Sequence, residues 1–174
     1  LDFLLYKPKD IEFLDASSPT GMRVYVRTLN MVLACAINEL YPHTDLRIEH
    51  PISKGYYCTL QWNMDKNDDS MRQSPPAVTA EMVEAIKQRM LQIIKEDRPI
   101  YEEEKRTKDV IKMFAARYNN QGSIFETLGN PYCRYFRMGD FIDYYTNVLL
   151  PSSGYVHVFD LELFQDGMLL RIPN

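Results

Sequence analysis

The chain has 174 residues, of which 45% are hydrophobic, 12% aromatic and 25% charged, and its formal net charge is -4. This composition excludes a disordered chain, and the length fits one compact globular unit. No apolar run approaches the roughly 18 residues that a membrane span needs, and no secretory signal opens the chain, so we expect a cytoplasmic protein.

Two short strands and a long helix are predicted first. Residues 1–6 have the composition of a strand entered in mid-course, which indicates that the natural gene starts earlier, and residues 11–15 resemble a second strand. Residues 17–20 (SSPT) supply an N-cap and a proline suited to the first turn of a helix. That helix is expected to end at Tyr41-Pro42. Apolar residues at spacings of three and four define its buried face: Met22, Val26, Leu29, Leu33, Ala36 or Ile37, and Leu40.

A hairpin and a polar loop follow. Strand-like residues 46–50 and 56–62 are joined by a turn through Pro51 and Gly55, which predicts an antiparallel pair. Residues 63–78 are too polar for a core element and too long for a turn, so they are expected to form an excursion.

The second half is predicted to hold another long helix, a short helix and several strands. Thr79 can cap a helix that stops before Asp97-Arg98-Pro99, and Thr107 opens a short one. Strands are expected at 100–104, 132–137, 154–163 and 168–172, with a hairpin turn at Gln165-Asp166-Gly167. The second long helix buries Met82 or Val83, Ile86, Met90, and Ile93 or Ile94, and the short helix carries Val110, Phe114 and Ala115. The predicted fold class is α+β, with two long helices packed on a mainly antiparallel sheet.

Motifs for nucleotide, metal or nucleophile chemistry are missing from the sequence. It has no P-loop pattern, no G-x-G-x-x-G and no paired cysteine motif. Its three histidines are isolated: His43 is expected to cap a helix end, and His157, between two valines in a strand, is expected to be exposed or in a cleft, as is His50. Three cysteines in apolar surroundings are expected to be free and buried: Cys35, Cys58 and Cys133.

Positive charge gathers in the middle of the chain. Residues 87–117 carry nine Lys and Arg against six Asp and Glu, a local excess of three positive charges. The first interpretation is a solvated helix face with i,i+4 ion pairs, and the alternative is a phosphate-contacting surface.

A specific motif links the first helix to the hairpin. Residues 40–46 (LYPHTDL) and 50–57 (HPISKGYY) resemble a segment of threonyl-tRNA synthetases in which a helix ending in Leu-aromatic-Pro runs into a G-P-x-I-x-x-G-F-Y-Y turn. The resemblance extends over roughly residues 21–171, to the second additional domain shared by threonyl- and alanyl-tRNA synthetases. It implies a degenerate editing-like domain at 21–174, preceded at 1–20 by the tail of a TGS-like module or by a linker.

The family's editing site uses an H-x-x-x-H pair on the first long helix and a C-x-x-x-H pair late in the domain. The corresponding positions here hold Arg27 and Met31, then Tyr145 and Leu149. None of these side chains can build a zinc and water site, so the resemblance implies no catalytic residue, no metal and no cofactor in this chain.

The resemblance implies that four polar residues face the former editing cleft. These side chains could bind a phosphate, a ribose or a terminal adenosine. They are Arg27, Asn30, Tyr145 and Asn147. The alternative is that Arg27 forms an internal ion pair and Tyr145 packs in the interior.

Two functions remain open. The favoured one is a non-catalytic accessory or regulatory domain, because a TGS module followed by a ligand-less editing-like domain resembles the N-terminal half of bacterial uridine-kinase-like proteins. ATP and Mg are then expected only in a downstream P-loop kinase domain of the same parent protein, with a weak RNA or nucleoside ligand here and no membrane or DNA partner. The alternative is a tRNA-binding or trans-editing protein related to threonyl-tRNA synthetase.

Overall fold

The computed structural model describes residues 6–8, 10, 12, 14–42, 44–62, 76–117 and 129–173. These ranges contain three α-helices, seven strands and a short 3-10 turn at Ser153–Tyr155. In chain order the elements are α1 (Pro19–Leu40), β1 (Thr44–Ile52), β2 (Gly55–Trp62), α2 (Ala80–Lys95), β3 (Ile100–Arg106), α3 (Thr107–Arg117), β4 (Tyr132–Met138), β5 (Phe141–Asp143), β6 (Asp160–Phe164) and β7 (Gly167–Arg171). The predicted α+β class is confirmed, with α1 and α2 as the long helices.

Helix α1 begins where the sequence predicts. Ser18 is the N-cap, its Oγ accepts a hydrogen bond from Gly21 N at 3.0 Å, and Pro19 follows in the first turn. The helix ends at Leu40, which is 38% exposed. The rest of the predicted apolar face is buried except for the half-buried Met22: Val26, Leu29, Leu33, Ala36 and Ile37.

Helix α2 is capped by Thr79, whose Oγ1 accepts from Met82 N at 3.3 Å. Its predicted stripe is buried, with Val83 and both Ile93 and Ile94 facing inward. Because this face packs against α1, the two long helices share one core.

Two antiparallel sheets complete the fold. The larger has the strand order β1-β2-β7-β6, and the smaller has the order β3-β4-β5. The β1–β2 turn is narrower than predicted, because Pro51 pairs with Tyr56 inside the ladder and only Ser53 and Lys54 connect the strands. Proline is tolerated there since β1 is an edge strand.

The core has two parts. The large one lies between α1, α2 and the four-stranded sheet, and it also takes in Phe136, Met138 and Phe141 from the smaller sheet. The small one lies where α3 covers one face of the three-stranded sheet, and it consists of Val110, Phe114, Cys133, Tyr135 and Ile142. The opposite face of β3 and β4 is not covered by α3.

The strand predicted at 154–163 is wrong over its first six residues, since β6 starts at Asp160. Ser153 Oγ donates to Ile93 O and accepts from Arg98 N, both at 2.8 Å, and these bonds hold the chain against the end of α2 in a 3-10 turn. His157 is exposed as predicted, but outside any strand. Strand β5 was not predicted.

Several predictions near the N-terminus and in the polar loop fall outside the described residues. These are most of the strand at 1–6, Ile11 and Phe13 of the second strand, His43, and residues 63–75 of the loop. Tyr6, Glu12 and Leu14 are described and lie in no strand, so neither N-terminal strand is found at its described positions. Asp15 belongs instead to the turn before α1, where its Oδ1 accepts from Ser17 N at 2.9 Å.

Candidate functional site

The two segments that the resemblance assigns to the editing site lie side by side. Thr28 Oγ1 on α1 accepts a hydrogen bond from Leu150 N at 2.9 Å and donates one to Val24 O at 2.9 Å. Met31 is fully buried and Leu149 is 5% exposed, and both belong to the large core. Apolar packing therefore occupies one position of each expected ligand pair.

Tyr145 occupies another of the four expected ligand positions, and two contacts hold it in place. Its hydroxyl donates to Asp143 Oδ2 at 2.9 Å, and its ring meets Phe136 edge to face, with ring centroids 6.1 Å apart. Asp143 Oδ1 also accepts from Tyr144 N at 2.8 Å. Tyr145 is therefore half-buried and packs against its neighbours.

A small cleft of about 210 Å³, here called the α1 cleft, lies between α1, β1 and the end of β5. Asn30 and Tyr145 line it, whereas Arg27 and Asn147 do not. Asn30 Oδ1 and Arg27 Nε are buried and have no hydrogen-bond partner among the described residues, so the internal ion pair considered for Arg27 is not found there. The lining residues are Asn30, Ala34, Asp45, Leu46, Ile48, Asp143 and Tyr145.

A larger cleft of about 570 Å³, here called the β3–β4 cleft, lies over the face of the three-stranded sheet that α3 leaves open. Strand pairing builds its floor, because Glu102 is opposite Phe136 and Glu104 is opposite Arg134. The segment 144–148 forms a wall, so Tyr145 and Asn147 face this cleft. The lining residues are Glu102, Glu104, Thr107, Asn130, Tyr132, Cys133, Arg134, Phe136 and 144–148.

Sequence reasoning missed the floor of this cleft. Glu102 and Glu104 alternate in one predicted strand, and Tyr132 and Arg134 alternate in another, so the period of two was visible. What the sequence did not supply was the pairing of the two strands, which puts these four side chains on one open face.

The charges in the β3–β4 cleft are unequal. Among the described residues that line it, Glu102 and Glu104 are acidic and Arg134 is basic. Arg134 Nη1 lies 3.2 Å from Glu102 Oε1, and its Nε lies 3.8 Å from Glu104 Oε1. Two carboxylates thus share one guanidinium, which leaves a net negative charge.

The covered face of the same strands is organised differently. The hydroxyl of Tyr135 donates to Glu103 Oε2 at 2.5 Å, and Arg137 Nη2 lies 2.6 Å from Glu103 Oε1. The hydrogen bond from Tyr135, followed by the contacts of Arg137, lowers the pKa of Glu103. Burial first, and then the bond to Glu103, raise the pKa of Tyr135 to about 12.

Three of the nine basic residues at 87–117 form ion pairs among the described residues: Lys87, Arg89 and Arg98. Glu39 on α1 binds Arg89 at 2.5 Å and Arg98 at 2.6 Å, and Lys87 binds Asp160 at 2.6 Å. These ion pairs connect different elements, so the i,i+4 pattern expected along one helix is not what holds them. The positive charges in these pairs therefore hold neighbouring elements together.

The isolated reactive residues follow the sequence predictions where they are described. Cys35, Cys58 and Cys133 are buried and form no disulfide with one another, and His50 is exposed. In the described ranges no three or more His, Cys, Asp or Glu side chains cluster as they would to hold a metal ion. Across the same residues, no helix has the length and apolar character needed to cross a bilayer.

The described residues form an α+β domain with two neighbouring clefts, and Tyr145 lines both of them. No family model matches the sequence. The chain is similar, however, to threonine–tRNA ligases: it is 25% identical to that of Rubrobacter xylanophilus, 29% to that of Natranaerobius thermophilus and 29% to that of Lactiplantibacillus plantarum, over 88%, 90% and 87% of its length. It is thus distantly homologous to threonine–tRNA ligases. The chain spans only 22% to 23% of the length of these relatives.

Proposed function

We propose that this chain is a non-catalytic, accessory or regulatory domain of a longer protein, derived from an editing-like domain of the threonine–tRNA ligase type. One observation carries the proposal: Met31 and Leu149, at two of the four expected ligand positions, are packed into the same hydrophobic core. A ligand of a catalytic metal or a general base must carry a donor atom and border the cleft that substrate and water enter, and these apolar, buried side chains do neither.

The other two positions support the same conclusion. Arg27 carries a guanidinium, which has only N–H donors and no acceptor and therefore cannot serve as a ligand or a base. Tyr145 donates its hydroxyl to Asp143, so the phenol is engaged within the fold. Hydrolysis at this site would need residues other than those that the resemblance supplies.

A zinc and deacylation assay tests the proposal. The purified chain, loaded with zinc and dialysed against a weak chelator, should retain substoichiometric zinc, and it should deacylate seryl-tRNA(Thr) no faster than buffer. A threonine–tRNA ligase editing domain serves as the positive control. One equivalent of retained zinc, or a deacylation rate that Tyr145→Phe reduces, would contradict the proposal.

For the longer protein we propose a P-loop nucleoside kinase, of the uridine-kinase type, in the cytoplasm, with a TGS-like tail at residues 1–20. Its support is the resemblance of this domain combination to kinase-fused proteins, together with the lack of a glycine-rich phosphate loop in this sequence. ATP and Mg would then bind outside residues 1–174. The downstream reading frame tests this directly, and calorimetric binding of MgATP to this chain alone would count against it.

A second candidate function is tRNA binding or trans-editing, which the similarity to threonine–tRNA ligases over about nine-tenths of the chain favours. Because residues 87–117 hold a net excess of only three positive charges, several of them paired, we expect weak and strongly salt-dependent tRNA binding. Tight binding at physiological salt that Arg27→Ala abolishes would favour this second function.

A further inference from the structure

We propose that the β3–β4 cleft binds a free nucleoside and disfavours its phosphorylated forms. This inference rests on the proposed function in that it assigns a ligand class to a non-catalytic cleft. Four features of the cleft lead to it: its size, its aromatic wall, its carboxylates and its charge balance.

The size of the cleft suits a nucleoside. Its volume of about 570 Å³ lies within the roughly 300–1,000 Å³ typical of small-molecule sites. The α1 cleft, at about 210 Å³, is much smaller. Helix α3 packs behind the floor, and Phe114 and Tyr135 are fully buried there. Such a preformed surface loses little freedom when it binds a ligand.

Aromatic rings supply a place for a planar base. Tyr132 lines the cleft and is 53% exposed, a large fraction for an aromatic side chain. Tyr144 and Tyr145 also line the cleft, and Phe136 contacts the ring of Tyr145 edge to face. Bases stack on such rings in single-stranded and mononucleotide sites. The exposed Tyr132 is therefore the expected stacking platform.

Carboxylates supply acceptors for a ribose diol. Glu102 and Glu104 point from alternate positions of β3 onto the same face. Arg134 approaches one oxygen of each, and an ionised carboxylate has about four acceptor sites, so capacity for ribose hydroxyls remains. The amide of Asn147 donates to Thr146 Oγ1 at 3.2 Å, which leaves its carbonyl oxygen for the edge of a base.

The charge balance argues against a phosphate. Arg134 is the basic side chain among the described lining residues, its side chain is 70% exposed, and it is already shared by two carboxylates. A phosphate brought into this cleft would meet a net negative surface. Two like charges about 4 Å apart in water repel each other enough to weaken binding by less than about tenfold. We therefore expect the nucleoside to bind about fivefold more tightly than its monophosphate at low salt.

Competition binding on the full chain tests the proposal. Uridine and adenosine are titrated with NMR detection, each beside its 5'-monophosphate, ribose and a trinucleotide RNA. We expect saturable shifts around Tyr132 and Asn147 with the nucleosides, about fivefold weaker binding of the monophosphates, and no saturation with ribose. Equal or tighter binding of a monophosphate or of the RNA, saturation with ribose, or no binding of either nucleoside would overturn it.

Substitutions at exposed side chains test the proposal without disturbing the fold. Tyr132→Ala should weaken nucleoside binding by about fivefold or more, whereas Tyr132→Phe should retain it. Combined Glu102→Gln and Glu104→Gln should bring the nucleoside and monophosphate affinities together. Glu162→Gln, which removes one carboxylate from the other sheet, is the control for each single change, Glu102→Gln and Glu104→Gln, and should change neither affinity. A failure here leaves the zinc and deacylation results untouched, so the two proposals fail separately.

Discussion

Segment 143–150 separates two sides of this domain that differ in packing: the α1 side is filled mainly with apolar side chains, and the β3 side is an open, polar cleft. On the α1 side, Met31 and Leu149 fill the space of expected ligands with apolar atoms, and the cleft that remains is about 210 Å³. On the β3 side, charged and aromatic side chains line an open face, and the cleft is about 570 Å³. The contrast teaches that apolar packing and an open polar surface can lie on the two sides of one segment, because each side is set by a different neighbouring element.

The largest expected effect comes from reversing the packing on the α1 side. Met31→His should lower the free energy of unfolding by about 2–5 kcal/mol, because it removes buried apolar atoms and places an imidazole in the core. Urea denaturation measures the change.

The control is Met31→Leu, which conserves volume and should cost less than about 1.5 kcal/mol. If the histidine variant proved as stable as the leucine variant, position 31 would have access to solvent, and the comparison between the two sides would break.

The link between α1 and the segment after β5 gives the next effect. Thr28→Val removes the acceptor of Leu150 N, so a part-buried N–H is left unsatisfied and stability should fall by about 1–3 kcal/mol. Thr28→Ser keeps the hydroxyl and should lose clearly less. The valine variant loses only the hydroxyl and the serine variant only the methyl, so denaturation of both compares the two groups, and amide exchange at Leu150 reports the hydrogen bond. A loss in Thr28→Ser as large as that in Thr28→Val, with unchanged exchange at Leu150, would contradict the role of the hydrogen bond.

Local signals made much of the fold predictable. The caps at Ser18 and Thr79 and the apolar stripes of α1 and α2 lie within single helices, and the β6–β7 turn at Gln165-Asp166 joins adjacent strands. In each case the residues that decide the structure are close in sequence, so propensity and periodicity were sufficient.

Long-range contacts decided what could not be predicted. Residues 153–155 have strand-like neighbours, yet they form a 3-10 turn because Ser153 Oγ is hydrogen-bonded to the backbone of Ile93 and Arg98. These two residues are 60 and 55 positions away in the sequence. The floor of the β3–β4 cleft depends on a register that pairs Glu104 with Arg134. Of the four residues predicted to share a cleft, Asn30 and Tyr145 line the α1 cleft, and Tyr145 and Asn147 line the β3–β4 cleft.

A smaller, pH-dependent effect sharpens the contrast between the two faces of β3. On the covered face the pKa of Glu103 is lowered, chiefly by the hydrogen bond from Tyr135. The carboxyl group of Glu103 therefore binds a proton more readily in the unfolded state than in the folded state. Its contribution to stability is present above the ordinary carboxyl pKa of about 4.3, and it is lost as the pH falls through the lower pKa of the folded state.

Glu103→Gln should accordingly be less stable than the parent near neutral pH, and the difference should shrink as the pH falls below about 4. Tyr135→Phe should raise the pKa of Glu103 and weaken the same dependence. Urea midpoints across this pH range measure both. A stability difference that stays constant from neutral pH into acid would show that Glu103 acts only through packing.

The smallest expected effect lies on the open face and completes the comparison. Tyr132 is 53% exposed at the edge of the β3–β4 cleft, so Tyr132→Ala removes little buried surface and should change the free energy of unfolding by no more than about 0.5 kcal/mol. Phe114→Ala, on the covered face of the same sheet, should cost about 3–5 kcal/mol because that ring is fully buried. Denaturation of the two variants side by side tests whether one face supports the fold and the other is left for a ligand. A large loss in Tyr132→Ala would mean that the exposed ring stabilises the sheet itself, and its place as a stacking platform would then have no structural basis.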